Sequence, residues 1–163
     1  MKKGIEMNAY ELCQRNVVTV RRHEELATAA WMMRERNVGC LVVVEPAGTA
    51  GGEKPVGMLT DRDIVTQVVA RQKDPLTIRI GDIMSRDVAT AREDDSVLDL
   101  LAAMRRKGVR RMPVISADNR LVGLATIDDV FAVVAEAIDA LSGAVAAAWR
   151  HERSQPGTTL SRP

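Results

Sequence analysis

Two carboxylates, Asp63 and Asp129, each stand three positions after a threonine in a stretch that occurs twice. The copies are Gly57-Met58-Leu59-Thr60-Asp61-Arg62-Asp63 and Gly123-Leu124-Ala125-Thr126-Ile127-Asp128-Asp129. A hydroxyl followed three positions later by a carboxylate is the pattern of a capping box, in which the threonine oxygen accepts an otherwise unpaired backbone N–H at a helix start. The acid pairs Asp61/Asp63 and Asp128/Asp129 also raise the question of acid–base chemistry. No nucleophile, oriented base or metal-ligand set accompanies them, so catalysis is not expected. Local capping does not require the whole unit to recur 66 residues later, so the duplication asks for a further explanation.

The elements that position these residues follow from an internal repeat. Residues 16–44 align without gaps on 87–115 at an offset of 71, and 55–69 align on 121–135 at an offset of 66. The five additional residues of the first copy fall in the Gly- and Pro-rich stretch 46–55, which reads as a flexible hairpin connection. Within each copy the pattern begins with a short strand, Val17–Val20 or Val88–Ala91. An amphipathic helix follows, marked by Leu26, Ala30 and Met33, or by Val97, Leu98, Leu100, Leu101 and Met104 with Asp94 or Asp95 as its N-cap. Two strands come next, Cys40–Val44 with Val56–Leu59, and Met112–Ile115 with Leu121–Leu124. A last helix follows the threonine, with Ile64, Val65, Val68 and Val69 on one face, or Val130, Phe131, Val133 and Val134.

The expected fold is therefore α/β (α+β), with two β-α-β-β-α repeats. A repeat of about 60 residues is marginal alone, so the two are expected to pack sheet to sheet with pseudo-two-fold symmetry. The repeats are placed at 8–73 and 79–137. Residues 71–75 form a polar linker, and 79–84 lead into the second unit. Residues 138–163 hold an alanine-rich extension that continues the last helix or forms another, followed by a mobile tail. Trp149 in that extension suits either the core or a partner subunit.

Composition excludes several classes. A net charge of +1 gives no basic field for nucleic acid, and four aromatic residues are too few for a base-stacking platform. Apolar runs such as Cys40–Val44 are too short to span a bilayer, and the start of the chain has no secretory pattern. A cytoplasmic protein without membrane or nucleic-acid partners is expected. Cys13 and Cys40 lack metal-site spacing and read as buried thiols, and His23 and His151 lie far from any cysteine, so no metal is expected.

The doubled segments 38–45 and 109–116, with 55–65 and 121–130 after them, resemble a tandem pair of CBS (cystathionine beta-synthase) domains, the Bateman module, over residues 11–137. The resemblance implies a regulatory module that binds an adenosine-containing ligand, with no resident cofactor. Each cleft would combine the Thr-x-x-Asp of one repeat with two strands of the other. The first would hold Thr60, Asp61, Arg62 and Asp63 with Val88, Ala89, Thr90, Arg110, Arg111, Met112 and Pro113. The second would hold Thr126, Asp128 and Asp129 with Val18, Thr19, Val38, Gly39, Cys40 and Leu41. It departs from the pattern because Val42 stands in the place of Pro113 and no arginine matches Arg111.

In these terms Asp63 would accept hydrogen bonds from a ribose diol. Thr60 and free N–H groups at the helix start would hold a phosphate with help from Arg62 and Arg111, and adenine would lie among Val88, Met112 and Pro113. AMP, ADP, ATP, S-adenosylmethionine, NAD and cyclic di-AMP all carry suitable groups. A homodimer is implied through Ile64, Val68, Val130 and Val134, with a separate protein target possible. The competing reading is a constitutive protein–protein adaptor with vestigial clefts.

Overall fold

The computed structural model describes residues 7–48 and 51–154; the lysine-containing start of the chain and the tail from Gln155 lie outside the described residues. The first copy comprises α1 (Ala9–Leu12), β1 (Thr19–Val20), α2 (Leu26–Arg36), β2 (Cys40–Pro46), β3 (Glu53–Thr60) and α3 (Asp61–Ile64), which runs into a π-helical turn, Val65–Val69. The second comprises α4 (Ile80–Ile83), β4 (Ala91–Arg92), α5 (Val97–Lys107), β5 (Arg111–Ile115), β6 (Leu121–Thr126) and α6 (Ile127–Ser154).

Each copy builds one three-stranded sheet, in order β1-β2-β3 or β4-β5-β6, the first pair parallel and the second antiparallel. The valine-rich β2 is buried on both faces. Leu41 and Val43 enter one hydrophobic core, while Cys40, Val42 and Val44 are buried outside it. The helices cover one face of each sheet and the other faces meet, with β3 against β6. This is the expected sheet-to-sheet arrangement. Fully burying leucines such as Leu26, Leu41, Leu59 and Leu100 contributes about 1.5–3 kcal/mol for each side chain.

Local chemistry explains the helix limits. Ser96, not Asp94 or Asp95, caps α5: its hydroxyl accepts from Asp99 N at 3.1 Å, whereas Asp95 closes the preceding turn by accepting from Arg92 N. Asn37 and Gly108 end α2 and α5 in the left-handed conformation. The first strands are shorter and later than their apolar runs. Val17, Val18, Val88 and Ala89 precede β1 and β4 and face the clefts described below, with Val18 O still accepting from Val42 N of β2.

The opening helices are exchanged between repeats. Ala9, Leu12 and Cys13 of the first copy lie in the core of the second, where Ala9 N donates to Asp95 O and Gln14 pairs with Leu124. Ile80, Ile83 and Met84 lie in the core of the first, where Ile80 N donates to Glu24 O and Ser85 pairs with Met58. Residues 79–84 thus lead into the second unit along the chain but pack in the first. The glycine that opens each repeated motif is the contact point. A methyl group on Gly123 would sit 2.2 Å from Cys13 Sγ, and one on Gly57 would sit 2.6 Å from Met84 Sδ.

The segments after each threonine differ from expectation. The π turn buries Val68 but leaves Val65 and Val69 exposed, so these valines do not share one face. Val130 is likewise buried, while Phe131 and Val134 are exposed. The alanine-rich stretch continues α6 as a single 28-residue helix, and Trp149 is exposed on it and not in the core. By length and composition alone α6 could cross a membrane, which overturns the expectation that no stretch is long enough.

Candidate functional site

The capping boxes form as the spacing requires, and their geometry limits what the capping residues can still do. Asp63 Oδ2 accepts from Thr60 N at 2.9 Å and from the Thr60 hydroxyl at 2.6 Å, and Asp63 N donates back to Thr60 Oγ1. Asp61 N donates to Gly39 O and Arg62 N to Asp61 Oδ1. The Thr60 proton and the first N–H groups of α3 are therefore occupied within the chain. What remains open on Asp63 is Oδ1, approached only by Gln67 Nε2 at 3.5 Å, beyond an effective hydrogen bond.

A cavity of about 260 Å³ lies beside this carboxylate, lined by Met58, Thr60 and Asp63 from one repeat and by Ser85, Asp87, Val88, Ala89, Val109, Arg110 and Arg111 from the connection and the other repeat. Of the eleven residues expected in the first cleft, it brings together Thr60, Asp63, Val88, Ala89, Arg110 and Arg111. The others do not line it. Met112 points into the second core because alternate residues of β5 face opposite ways, and it is unavailable to a base. Pro113 is buried in the same strand. Asp61 turns toward Gly39, and Arg62 and Thr90 lie outside the lining.

The second cavity, about 220 Å³, is the repeat-related counterpart. Val18, Val38, Gly39, Cys40, Thr126 and Asp128 line it, joined by Gln14, Asn16, Val17, Arg111 and Leu124. Leu41 is fully buried in the first core, and Thr19 and Asp129 do not line the cavity. Asp129 repeats the capping geometry, but its Oδ1 accepts from Gln14 Nε2 at 2.9 Å. The acceptor that stands open in the first cleft is taken in the second.

Sequence reasoning missed Met58, Ser85, Asp87 and Val109 in one cleft and Gln14, Asn16, Val17 and Leu124 in the other. The signal was present: the repeat offsets relate Gln14 to Ser85, Asn16 to Asp87 and Leu124 to Met58. The pairing of the clefts also changes the reading of the second one. It does not lack an arginine, because Arg111 lines both cavities where the pseudo-two-fold sets it near Cys40.

Burial raises the Cys40 thiol above its ordinary value; the Arg111 charge opposes this and Asp61 reinforces it. Burial likewise raises Cys13, opposed by Arg15. The folded state therefore holds these protons more tightly than the unfolded chain, whose thiols ionise near pH ~8.5. The stabilisation is complete below that pH and declines as pH rises through the folded values. We expect both thiols to react slowly with iodoacetamide at pH 7 and the midpoint of urea unfolding to fall above pH ~8.5. Replacing both cysteines with alanine should flatten that alkaline decline, and an unchanged decline would contradict the assignment.

Comparison with known proteins gives the following. The family model described as CBS domain matches twice, at residues 9–70 and 80–136. An uncharacterised protein of Methanopyrus kandleri is 34% identical over 123 residues; the match covers 76% of this chain and only 60% of that relative's length. Hypoxic response protein 1 of Mycobacterium tuberculosis is 35% identical over 122 residues, covering 75% of this chain and 81% of the relative. Among solved structures, the CBS domain pair of the protein MJ0100 in complex with 5′-methylthioadenosine and S-adenosyl-L-methionine has a TM-score of 0.67 at 25% identity, covering 80% of this chain and 97% of that one. The hexameric CBS-CP12 protein from bloom-forming cyanobacteria has a TM-score of 0.67 at 29% identity, covering 78% of this chain and 67% of that one.

Proposed function

The chain belongs to the CBS-domain family, and on that premise we propose that it is a ligand-responsive regulatory module whose first cleft takes an adenosine-containing nucleotide. The observation that carries the reading is the open Asp63 Oδ1 on the same cavity as Arg110 and Arg111. An ionised carboxylate oxygen accepts hydrogen bonds from ribose hydroxyls, and two guanidinium groups supply paired donors for phosphate. Val88, Ala89, Val109 and Met58 offer the apolar surface for the base. The adenosine compounds bound to the MJ0100 pair support this choice of ligand class. The second cleft, with Asp129 already engaged and Arg111 but not Arg110 in its lining, is the weaker binder.

A module of this kind passes its signal to another protein or through its own oligomer. The hexameric state of the cyanobacterial neighbour supports self-association. The surface for it is not the expected set, since Val68 and Val130 are buried within the chain; Val65, Val69, Phe131 and Val134 are the exposed large apolar residues in the first turns after each threonine.

Thermal unfolding against AMP, ADP, ATP, S-adenosylmethionine, NAD and cyclic di-AMP tests the nucleotide reading. A ligand at 100 times its dissociation constant adds about 2.7 kcal/mol, which raises the midpoint by roughly 5–10 °C for a chain of this size. A rise with at least one compound is expected. No rise with any would favour the constitutive adaptor.

A further inference from the structure

We infer that the second cleft is an antagonist site: a small, singly charged anion with an apolar body, held there by Arg111, weakens nucleotide binding in the first cleft. The inference rests on the nucleotide reading of the first cleft and names what regulates it. The repeat offset relates Arg110 and Arg111 to Gly39 and Cys40. A two-fold copy of the first cleft would therefore carry no guanidinium, yet Arg111 lines both cavities while Arg110 lines only the first. In the β5–β6 ladder Arg111 stands opposite Thr126, the capping threonine of the second cleft, as Cys40 stands opposite Thr60 in β2–β3. Across the pseudo-two-fold, the Arg111 charge is felt at the Cys40 thiol.

The shared group is the limiting one. Arg111 is half-buried, whereas Arg110 is exposed. Among the described residues no carboxylate is ion-paired with Arg111, so its charge is available to a ligand. The charged side chains lining the first cleft are Asp63, Asp87, Arg110 and Arg111; those lining the second are Asp128 and Arg111. An anion in the second cleft thus meets no cation of the lining but Arg111. A bidentate pair with a phosphate or carboxylate uses two parallel N–H groups of the planar fork, and in a half-buried setting the single positive charge is weakly screened. When the fork turns to the second cleft, a nucleotide phosphate in the first keeps only the exposed Arg110. Val17, Val18, Val38 and Leu124 supply the wall for the apolar body of the antagonist, and a volume of about 220 Å³ limits its size. Asp128 in the same lining opposes a second negative charge.

Substitution at Cys40, which lines the second cleft and not the first, tests the coupling directly. Cys40→Asp places a carboxylate beside Arg111, and Cys40→Asn places a neutral group of the same shape. Isothermal titration of the full chain uses AMP, ADP and ATP, with 5′-methylthioadenosine as the probe without phosphate. Cys40→Asp is expected to bind the phosphate-bearing compounds about tenfold more weakly than Cys40→Asn, near the low end of couplings between sites, with no such difference for 5′-methylthioadenosine. In an Arg111→Met background the two variants should agree within about twofold, the scatter of uncoupled pairs, whereas plain repulsion between carboxylate and phosphate would persist there. If the new carboxylate unfolds the chain, the Cys40 thiol itself is the readout, in Cys13→Ala. Burial and Asp61 oppose its ionisation and Arg111 favours it, so it should ionise at higher pH with ATP bound and at an unchanged pH with 5′-methylthioadenosine.

A parent chain that binds none of AMP, ADP and ATP would overturn the nucleotide reading and the inference with it. Nucleotide binding that is equal in Cys40→Asp and Cys40→Asn, tighter in Cys40→Asp, or still different with Arg111→Met would overturn the inference and leave the nucleotide reading standing, as would a Cys40 thiol indifferent to bound ATP.

Discussion

Alanine in place of Gly123 is expected to lower stability by about 2–3 kcal/mol, the upper part of the range for overfilling a packed site, and the thermal midpoint by roughly 5–10 °C. The added methyl would stand 2.2 Å from Cys13 Sγ and 2.9 Å from the carbonyl oxygen of Gln14. The backbone oxygen cannot swing aside as a side-chain end can, and Gln14 is paired with Leu124 across this contact. Relief requires α1 to move off β6, which takes Ala9, Leu12 and Cys13 out of the second core. Gly57→Ala should cost less, because its nearest neighbour is the flexible end of Met84. Gly143→Ala, with nothing within 4 Å, should stabilise α6 by about 0.5–1 kcal/mol. Urea unfolding of the three variants checks the order, and a parent-like midpoint for Gly123→Ala would mean that α1 does not pack where the fold places it.

Removal of the Asp63 carboxylate is expected to weaken nucleotide binding by roughly ten- to a hundredfold, equivalent to about 1.5–3 kcal/mol for a hydrogen bond to a charged group. Asp63→Ala also removes the cap on Thr60, so a loss of affinity could reflect a loosened helix start. Asp129→Ala separates the two effects. It breaks the same capping bonds in the other repeat but leaves the first cleft intact, and its affinity should stay within about threefold of the parent. Arg111→Ala should weaken binding about as much as Asp63→Ala for phosphate-bearing ligands, and much less for an uncharged adenosine derivative. Equal affinity of Asp63→Ala and the parent would remove the ribose contact from the account.

Much of the fold was legible because its determinants are local. The threonine and aspartate of each motif make a cap within four residues, the valine run of β2 and the apolar run Met112–Ile115 of β5 favour strands, and the repeat offset relates one copy to the other. The exchange of opening helices was not legible in that way. α1 and α4 are four residues each, too short for an apolar period, and their docking is decided by contacts distant in sequence. Gly57 and Gly123 did carry the trace of it, since a bare backbone at the same place in both copies marks close approach.

The site was read with the right motifs and an incomplete geometry. A strand pattern assigns Arg111, Met112 and Pro113 to one neighbourhood, but alternation sends Met112 into the core while Arg111 faces the clefts. The occupied state of the Thr60 hydroxyl follows from the capping box itself, which a fuller hydrogen-bond accounting of that motif would have revealed. The sharing of Arg111 between clefts depends on the pseudo-two-fold, which only the packed sheets create.

The most direct measurement is equilibrium dialysis of the full chain against the adenosine compounds named above, with Asp63→Ala, Arg111→Ala and Asp129→Ala in parallel. The account predicts retention of at least one phosphate-bearing compound near one per chain, lost in Asp63→Ala and Arg111→Ala and kept in Asp129→Ala. Free passage of every compound at millimolar concentration, or retention indifferent to Asp63 and Arg111, would contradict it.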